Sequence, residues 1–125
     1  MSLDITPKVP TGRQIVTAYG EGGFRITDKA YESSILVFLE RTEVWSGDLS
    51  LEGLKPLIEA GPTEKPEILV VGCGANFTLP PEELRAGLKA HGIVLEWMDT
   101  AAACRTYNIL AIEERAVAAA LVAVD

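Results

Sequence analysis

The chain has 125 residues, 48% of them hydrophobic and 23% charged, and a formal net charge of −7 at pH 7. That length sets one domain, able to bury roughly two-thirds of its unfolded surface without staples. The composition excludes a disordered chain, and its acidity, with eleven scattered Lys and Arg, excludes a nucleic-acid or anionic-membrane surface.

Met1 to Gly12, with two prolines and a glycine, reads as an extended N-terminal arm. It has neither the pattern of a signal peptide nor the Arg/Ser richness of a transit peptide, so a cytoplasmic chain with reduced thiols is expected. No apolar run approaches the ~20 residues of a membrane helix, so membrane insertion is not expected. Gln14 to Tyr19 is rich in β-branched residues, Gly20, Gly22 and Gly23 make a turn, and Phe24-Arg25-Ile26-Thr27 alternates apolar and polar. Together they predict a β-hairpin. A hairpin turn is preferred over a phosphate cradle because Glu21 sits in the loop and a strand, not a helix, follows it.

Tyr31 opens another short strand. Ile35 to Leu39 is a continuous apolar run, the pattern of a strand covered on both faces. Glu43-Val44-Trp45 is its hairpin partner across Arg41-Thr42, with Trp45 packed as a core indole. Ser50 is a candidate N-cap for a helix striped by Leu51, Leu54, Leu57 and Ile58. Pro56 lies inside that stripe, so either the first turn is irregular or the helix begins near Pro56. Gly61-Pro62 ends the element.

The centre of the chain is Glu67 to Asn108. Ile68 to Gly72 is a strand leading into the Gly72-Cys73-Gly74 turn. Pro80-Pro81-Glu82-Glu83 opens a helix whose Leu84 and Leu88 face the sheet. Gly87, on the same side, suggests a close helix–sheet approach. Gly92 closes the helix after His91, and Ile93 to Met98 is the next strand. Asp99 or Thr100 caps a third helix, through Ala101, Cys104, Tyr107 and Leu110. This β-turn-α-β unit builds parallel sheet. The tail, Arg115 to Val124, is ambiguous: its alanines favour helix, while Leu-Val-Ala-Val at its end allows a strand.

Chemistry-bearing residues are few. Gly72-Cys73-Gly74 resembles half of a dinucleotide fingerprint but lacks the third glycine. Cys73 lies near a helix N-terminus, where a thiolate is stabilised. The only histidine, His91, falls at the far end of that helix, ~15 Å away, so a Cys–His pair is not expected. Cys104 reads as buried packing. No His, Cys, Asp or Glu set has metal spacing, and no cofactor is called for. The densest polar group is Asp99 and Thr100 with Arg105, Thr106, Tyr107 and Asn108. Its bland reading is a capping Asp and a polar helix face. Its sharper reading is a recognition surface beside the Gly72–Gly74 turn, with Arg105 as an anion anchor.

ILVVGCGAN, LPPEELRAGLKAHGIVLEWMDTAAACRTYNILA, the terminal RAVAAAL and the early GRQIVTAYGEGGFRI together resemble a small α/β family. Its members include bacterial proteins of unassigned function, a human adipogenesis-associated domain protein and the third assembly factor of mitochondrial respiratory complex I. The family usually carries G-T-G where this chain has Gly72-Cys73-Gly74, and E-G-R where it has Glu113-Glu114-Arg115. The resemblance implies a three-layer α/β single domain with a mixed central sheet, N-terminal β-hairpins and the tail as a C-terminal strand. It also implies a non-enzymatic interaction or assembly-factor-like role with unidentified protein partners, with assembly of an NADH:quinone oxidoreductase or another membrane complex as the analogy. The competing expectation is a small-molecule binder or enzyme using Gly72–Gly74 with Asp99 and Arg105. A homodimer is a further arrangement compatible with the sequence.

Overall fold

The computed structural model describes residues 9–125. Most of the expected N-terminal arm lies outside these residues. Thr11 and Gly12 form a turn, closed by the Arg13 N–H donating to the Pro10 carbonyl at 3.1 Å.

The first hairpin forms where the β-branched run and the glycines place it. Strand β1 (Val16–Gly20) pairs antiparallel with β2 (Gly23–Ile26). Both residues of the connecting turn take positive φ, Glu21 at 53° and Gly22 at 79°, the backbone of a type I′ turn whose twist matches the strands. Strand β3 (Lys29–Tyr31) adds to β2 and completes a three-stranded sheet. Tyr31 therefore closes this strand rather than opening one.

The second sheet has five strands. Strand β4 (Ile35–Val37) pairs antiparallel with β5 (Thr42–Val44). Strand β6 (Ile68–Gly72) pairs in parallel with β7 (Val94–Met98) and with β8 (Val117–Leu121). Strand β8 pairs antiparallel with β4, giving the mixed order β5-β4-β8-β6-β7. The alanine-rich tail is thus a strand, as the family resemblance implied and against the helical leaning of alanine. It sits between two strands that supply its hydrogen bonds, and every residue from Val117 to Leu121 is buried. Tertiary pairing overrides a propensity worth less than ~1 kcal/mol per residue.

Three helices cover this sheet. Helix α3 (Thr100–Ile112) and the three-stranded sheet lie on one face, where Val70, Val117 and Ala119 meet Phe24, Ile26, Ala103 and Tyr107. Helices α1 (Lys55–Ile58) and α2 (Glu82–Ala90) lie on the other, where Leu69, Val71, Ala118 and Ala120 meet Leu54, Leu57, Leu84 and Leu88. Successive residues of β6 and β8 point to opposite faces, so both faces of these apolar strands are core, as expected for strands covered on two sides.

Helix α1 is a single turn starting at Lys55, so of the two openings the sequence allowed, the helix beginning near Pro56 is the one formed; the Ser50 hydroxyl accepts from the Gly53 N–H at 3.1 Å and caps a preceding turn instead of the helix. Gly87 does face a close neighbour, but it is the Leu51 side chain and not the sheet: a Cβ there would lie 2.5 Å from Leu51 Cδ1. Trp45 is buried just beyond β5, with its Nε1–H donating to the Gly53 carbonyl at 2.9 Å.

Candidate functional site

Strands β6, β7 and β8 are parallel and in register, Gly72 lying opposite both Met98 and Leu121. Their carboxyl ends form one rim, the usual place for a ligand on an open α/β sheet. The Gly72–Gly74 turn, Asp99-Thr100 and Val122 emerge here together.

The rim is held by one side chain. Thr100 is fully buried; its Oγ1 accepts from the Gly74 N–H at 3.0 Å and donates to the Val122 carbonyl at 2.8 Å. The Gly74 carbonyl accepts from the Thr100 N–H at 2.9 Å, and the Gly72 carbonyl accepts from the Val122 N–H at 2.9 Å. Asp99 is the N-cap of α3, accepting from the Ala102 N–H at 2.9 Å. Two of the orphan donors at this helix start, the Thr100 and Ala102 N–H groups, are therefore turned inward onto Gly74 and Asp99. Gly72 permits the arrangement by having no side chain: a Cβ would lie 2.8 Å from Thr100 Cα and 3.1 Å from Ala103 Cβ.

Further along α3 the polar residues separate. Tyr107 is fully buried and donates its hydroxyl to the Gln14 carbonyl at 2.8 Å. Burial raises its pKa well above the usual phenol value. Asn108 accepts from the Val16 N–H at 2.9 Å and donates to the Val16 carbonyl at 2.8 Å, as a neighbouring strand would. Thr106 is half-buried. Arg105 is exposed and lines a hollow of about 300 Å³ with Cys104, Asn108 and residues Val16 to Tyr19 of β1. Neither the Gly72–Gly74 turn nor Asp99 lines that hollow. The nine sequence candidates thus divide into a rim group, Gly72, Cys73, Gly74, Asp99 and Thr100, and an α3–β1 group from Arg105 to Asn108.

The cysteines behave differently. Cys73 is half-buried, its thiol 3.6 Å from the Asn76 carbonyl. Cys104 is buried, which pushes its pKa up to about 12 against a smaller opposing pull from Arg105. His91 is the C-cap of α2 and lines a separate hollow with Leu51, Glu52, Lys55, Ile58 and Glu59. Among the described residues no three His, Cys, Asp or Glu are grouped to hold a metal ion.

Two features escape a sequence reading. Arg13, nine-tenths buried, donates Nη1–H to the Ala111 carbonyl at 2.9 Å near the carboxyl end of α3, while its buried Nε has no partner. The loop after the rim presents Phe77, 58% exposed, and Leu79, 83% exposed. It is tethered by Trp97, whose Nε1–H donates to the Thr78 carbonyl at 2.6 Å. The apolar letters of this loop break no periodic pattern, so only the structure shows them to be outside the core.

Among known proteins, a family model described as "Protein of unknown function (DUF498/DUF598)" matches residues 16–122. An uncharacterised protein of Rhodobacter capsulatus is 35% identical over 119 residues, 94% of this chain and 92% of that protein. A Danio rerio protein named NADH dehydrogenase [ubiquinone] 1 alpha subcomplex assembly factor 3 is 31% identical over 125 residues, 97% of this chain and 71% of that protein. A crystal structure described as an outer membrane protein from Bartonella henselae superposes with a TM-score of 0.82 at 36% identity, over 91% of this chain and 98% of that one.

Proposed function

The chain belongs to the DUF498/DUF598 family, and from that membership we propose that it is a non-enzymatic interaction domain that assists assembly of a membrane complex, in the manner of an NADH:quinone oxidoreductase assembly factor. The observation that carries this reading is the match to relatives named as assembly factors, 31% identical over nearly the whole chain in Danio rerio and over 111 residues in Xenopus tropicalis. Site chemistry supports it. The polar groups best placed for catalysis are engaged internally: Thr100 and Asp99 close the rim, Tyr107 holds Gln14 ahead of β1, and Asn108 holds β1 at Val16. Among the outward-facing residues are large apolar ones, Phe77 and Leu79 beside the rim, Tyr19 on β1 and Ile109 on α3. Such residues suit contact with protein better than turnover of a small polar substrate.

No helix among the described residues is long and apolar enough to cross a membrane. The proposal places the protein in the cytoplasm, meeting its complex from that side. The competing small-molecule reading required Arg105 to converge with the Gly72–Gly74 turn. Arg105 lines the β1 hollow, which neither Asp99 nor any residue of the turn lines, and this favours the interaction role.

The test is affinity capture of the tagged protein from its native cell, with membrane and soluble fractions analysed separately. Reproducible recovery of respiratory-complex subunits or their insertion machinery supports the role. Capture that is the same for the wild type and for a Phe77→Ser/Leu79→Ser variant removes the loop from it, and recovery of no partner from either fraction overturns the role.

A further inference from the structure

Sheets end in edges, and an edge strand offers unpaired backbone N–H and C=O groups to any extended chain that reaches it. Four strands of this fold are edges: β1 and β3 of the small sheet, β5 and β7 of the large one. Three of them are blunted. Strands β3 and β5 have three residues each, and each carries charge, Lys29 on the first and Glu43 on the second. Along β7 the Arg85 guanidinium donates to the Leu95 carbonyl at 2.9 Å and occupies the edge.

Strand β1 is different. It is five residues long, Val-Thr-Ala-Tyr-Gly, with no charge, and its one irregularity is a register shift against β2 between Val16 and Ala18. Its outer edge is plugged only at its first residue, where the Asn108 amide takes both backbone groups of Val16. From Thr17 to Gly20 no described residue outside β2 pairs with its backbone. Helix α3 diverges from this edge and leaves the hollow of about 300 Å³. Thr17, Ala18 and Tyr19 on one side of it are exposed. Arg105 stands on the other side, without a carboxylate partner among the described residues.

We propose that this slot takes an extended segment of a partner protein, which adds as a strand to β1 and sets one carboxylate against Arg105. Main-chain pairing supplies affinity in such strand addition, and side-chain pockets supply selectivity. Asn108 already pairs with the edge at Val16, and an incoming strand takes up the pairing beyond the register shift, from Ala18 onward. The carboxylate follows from charge: among the residues lining the hollow Arg105 alone is charged, and a carboxylate matches its planar guanidinium in a two-pronged, charge-assisted pair. The inference deepens the interaction role proposed above by naming the chemistry of the segment. Its test can fail while affinity capture succeeds through the Phe77–Leu79 loop, so the two are separable.

The probe is a fluorescein-labelled, end-blocked peptide, Thr-Val-Glu-Val-Thr-Ser, with a counterpart carrying Lys in place of Glu. Anisotropy titrations use the full chain and Arg105→Glu, an exposed substitution that leaves the core untouched. Saturable binding of the Glu peptide is expected, weakened about tenfold by Arg105→Glu. The Lys peptide is expected to regain that loss on the variant. Hydrogen exchange is expected to slow within Thr17–Gly20 and nowhere else. Three results overturn the proposal: no saturable binding of either peptide at millimolar concentration, binding indifferent to the charge reversal, or protection on β3, β5 or β7. A concentration-dependent dimer that protects the same amides without peptide assigns the edge to a second copy of this chain and likewise overturns it.

Discussion

Replacing Thr100 with valine keeps the shape of the side chain and deletes its hydroxyl. The structure gives that hydroxyl two tasks, accepting from the Gly74 N–H and donating to the Val122 carbonyl. Thr100 has no exposed surface, so water cannot take its place. Each orphaned group costs about 1–3 kcal/mol. The gain from a buried methyl, about 0.8 kcal/mol, offsets part of this. Thr100→Val should therefore lose about 1–5 kcal/mol, up to a large share of the 5–15 kcal/mol typical of a whole domain. Thr100→Ser keeps both bonds and loses one methyl, about 1 kcal/mol. Urea unfolding followed by circular dichroism separates the two. With a slope of roughly 2 kcal/mol per molar, the midpoint should fall by about 0.5–2.5 M for valine, centred near 1.5 M, and by about 0.5 M for serine. A valine variant as stable as the serine variant, or more so, would refute the claim that the rim hangs on this hydroxyl.

Three further outcomes are expected. Gly72→Ala should cost at least about 1–3 kcal/mol, because its Cβ would press on the Thr100 backbone, and thermal unfolding should show the loss. Glu114→Gly should do the reverse. Glu114 takes a φ of 61° at the end of α3, where Arg115 N–H bonds the Leu110 carbonyl and Glu114 N–H bonds the Ala111 carbonyl. Helix α2 ends with the same pair of bonds but has Gly92 at that position, with a φ of 78°. Relieving the left-handed strain at Glu114 should raise stability by about 0.5–1 kcal/mol, read as a higher Tm; an unchanged or lower Tm counts against it. Finally, burial raises the Cys104 pKa from 9.0 to about 12 and raises that of Tyr107 from 10.0. A raised folded-state pKa contributes stability that is complete below pH 9 and is lost as pH rises towards 12, at about 1.4 kcal/mol per pH unit from Cys104. The urea midpoint should fall across that window and fall less steeply in Cys104→Ala. In the native protein at pH 8, iodoacetamide should label Cys73 and spare Cys104; equal labelling would contradict the burial argument.

The β6–α2–β7–α3 core was legible because its punctuation is local. Glycine at the end of α2, prolines and acids at its start, and an Asp at the cap of α3 each act within one turn. The β1–β2 hairpin was legible for the same reason. The tail was not, since alanine carries a helical preference and the strand pairing that overrides it comes from β4, some eighty residues away, as well as β6. Gly87 meets Leu51 instead of the sheet, because Leu51, first residue of the apolar stripe, sits in the turn before α1 and reaches across to α2. Among the candidate site residues, sequence identified the polar ones on α3 but not their partners. Tyr107 and Asn108 answer to Gln14 and Val16, across more than ninety positions, and Arg105 faces β1 and not the Gly72 turn.

Strand β8 is the last element in the chain and lies in the middle of its sheet, with β4 on one side and β6 on the other. Until it arrives, the β4–β5 hairpin and the β6–β7 pair are two fragments with no bond between them. Each then has a raw hydrophobic border, Ile35–Val37 on one and Ile68–Gly72 on the other. Synthesis from the N-terminus leaves those borders open to neighbouring chains until the final strand closes the gap. Non-local closure of this kind makes for slow folding and a window for aggregation. The alanines suit the part: small side chains let a late strand slide between two formed layers with little to rearrange. A nascent chain that stops before Val117 would lose the keystone of the sheet, and quality control would meet two sticky halves.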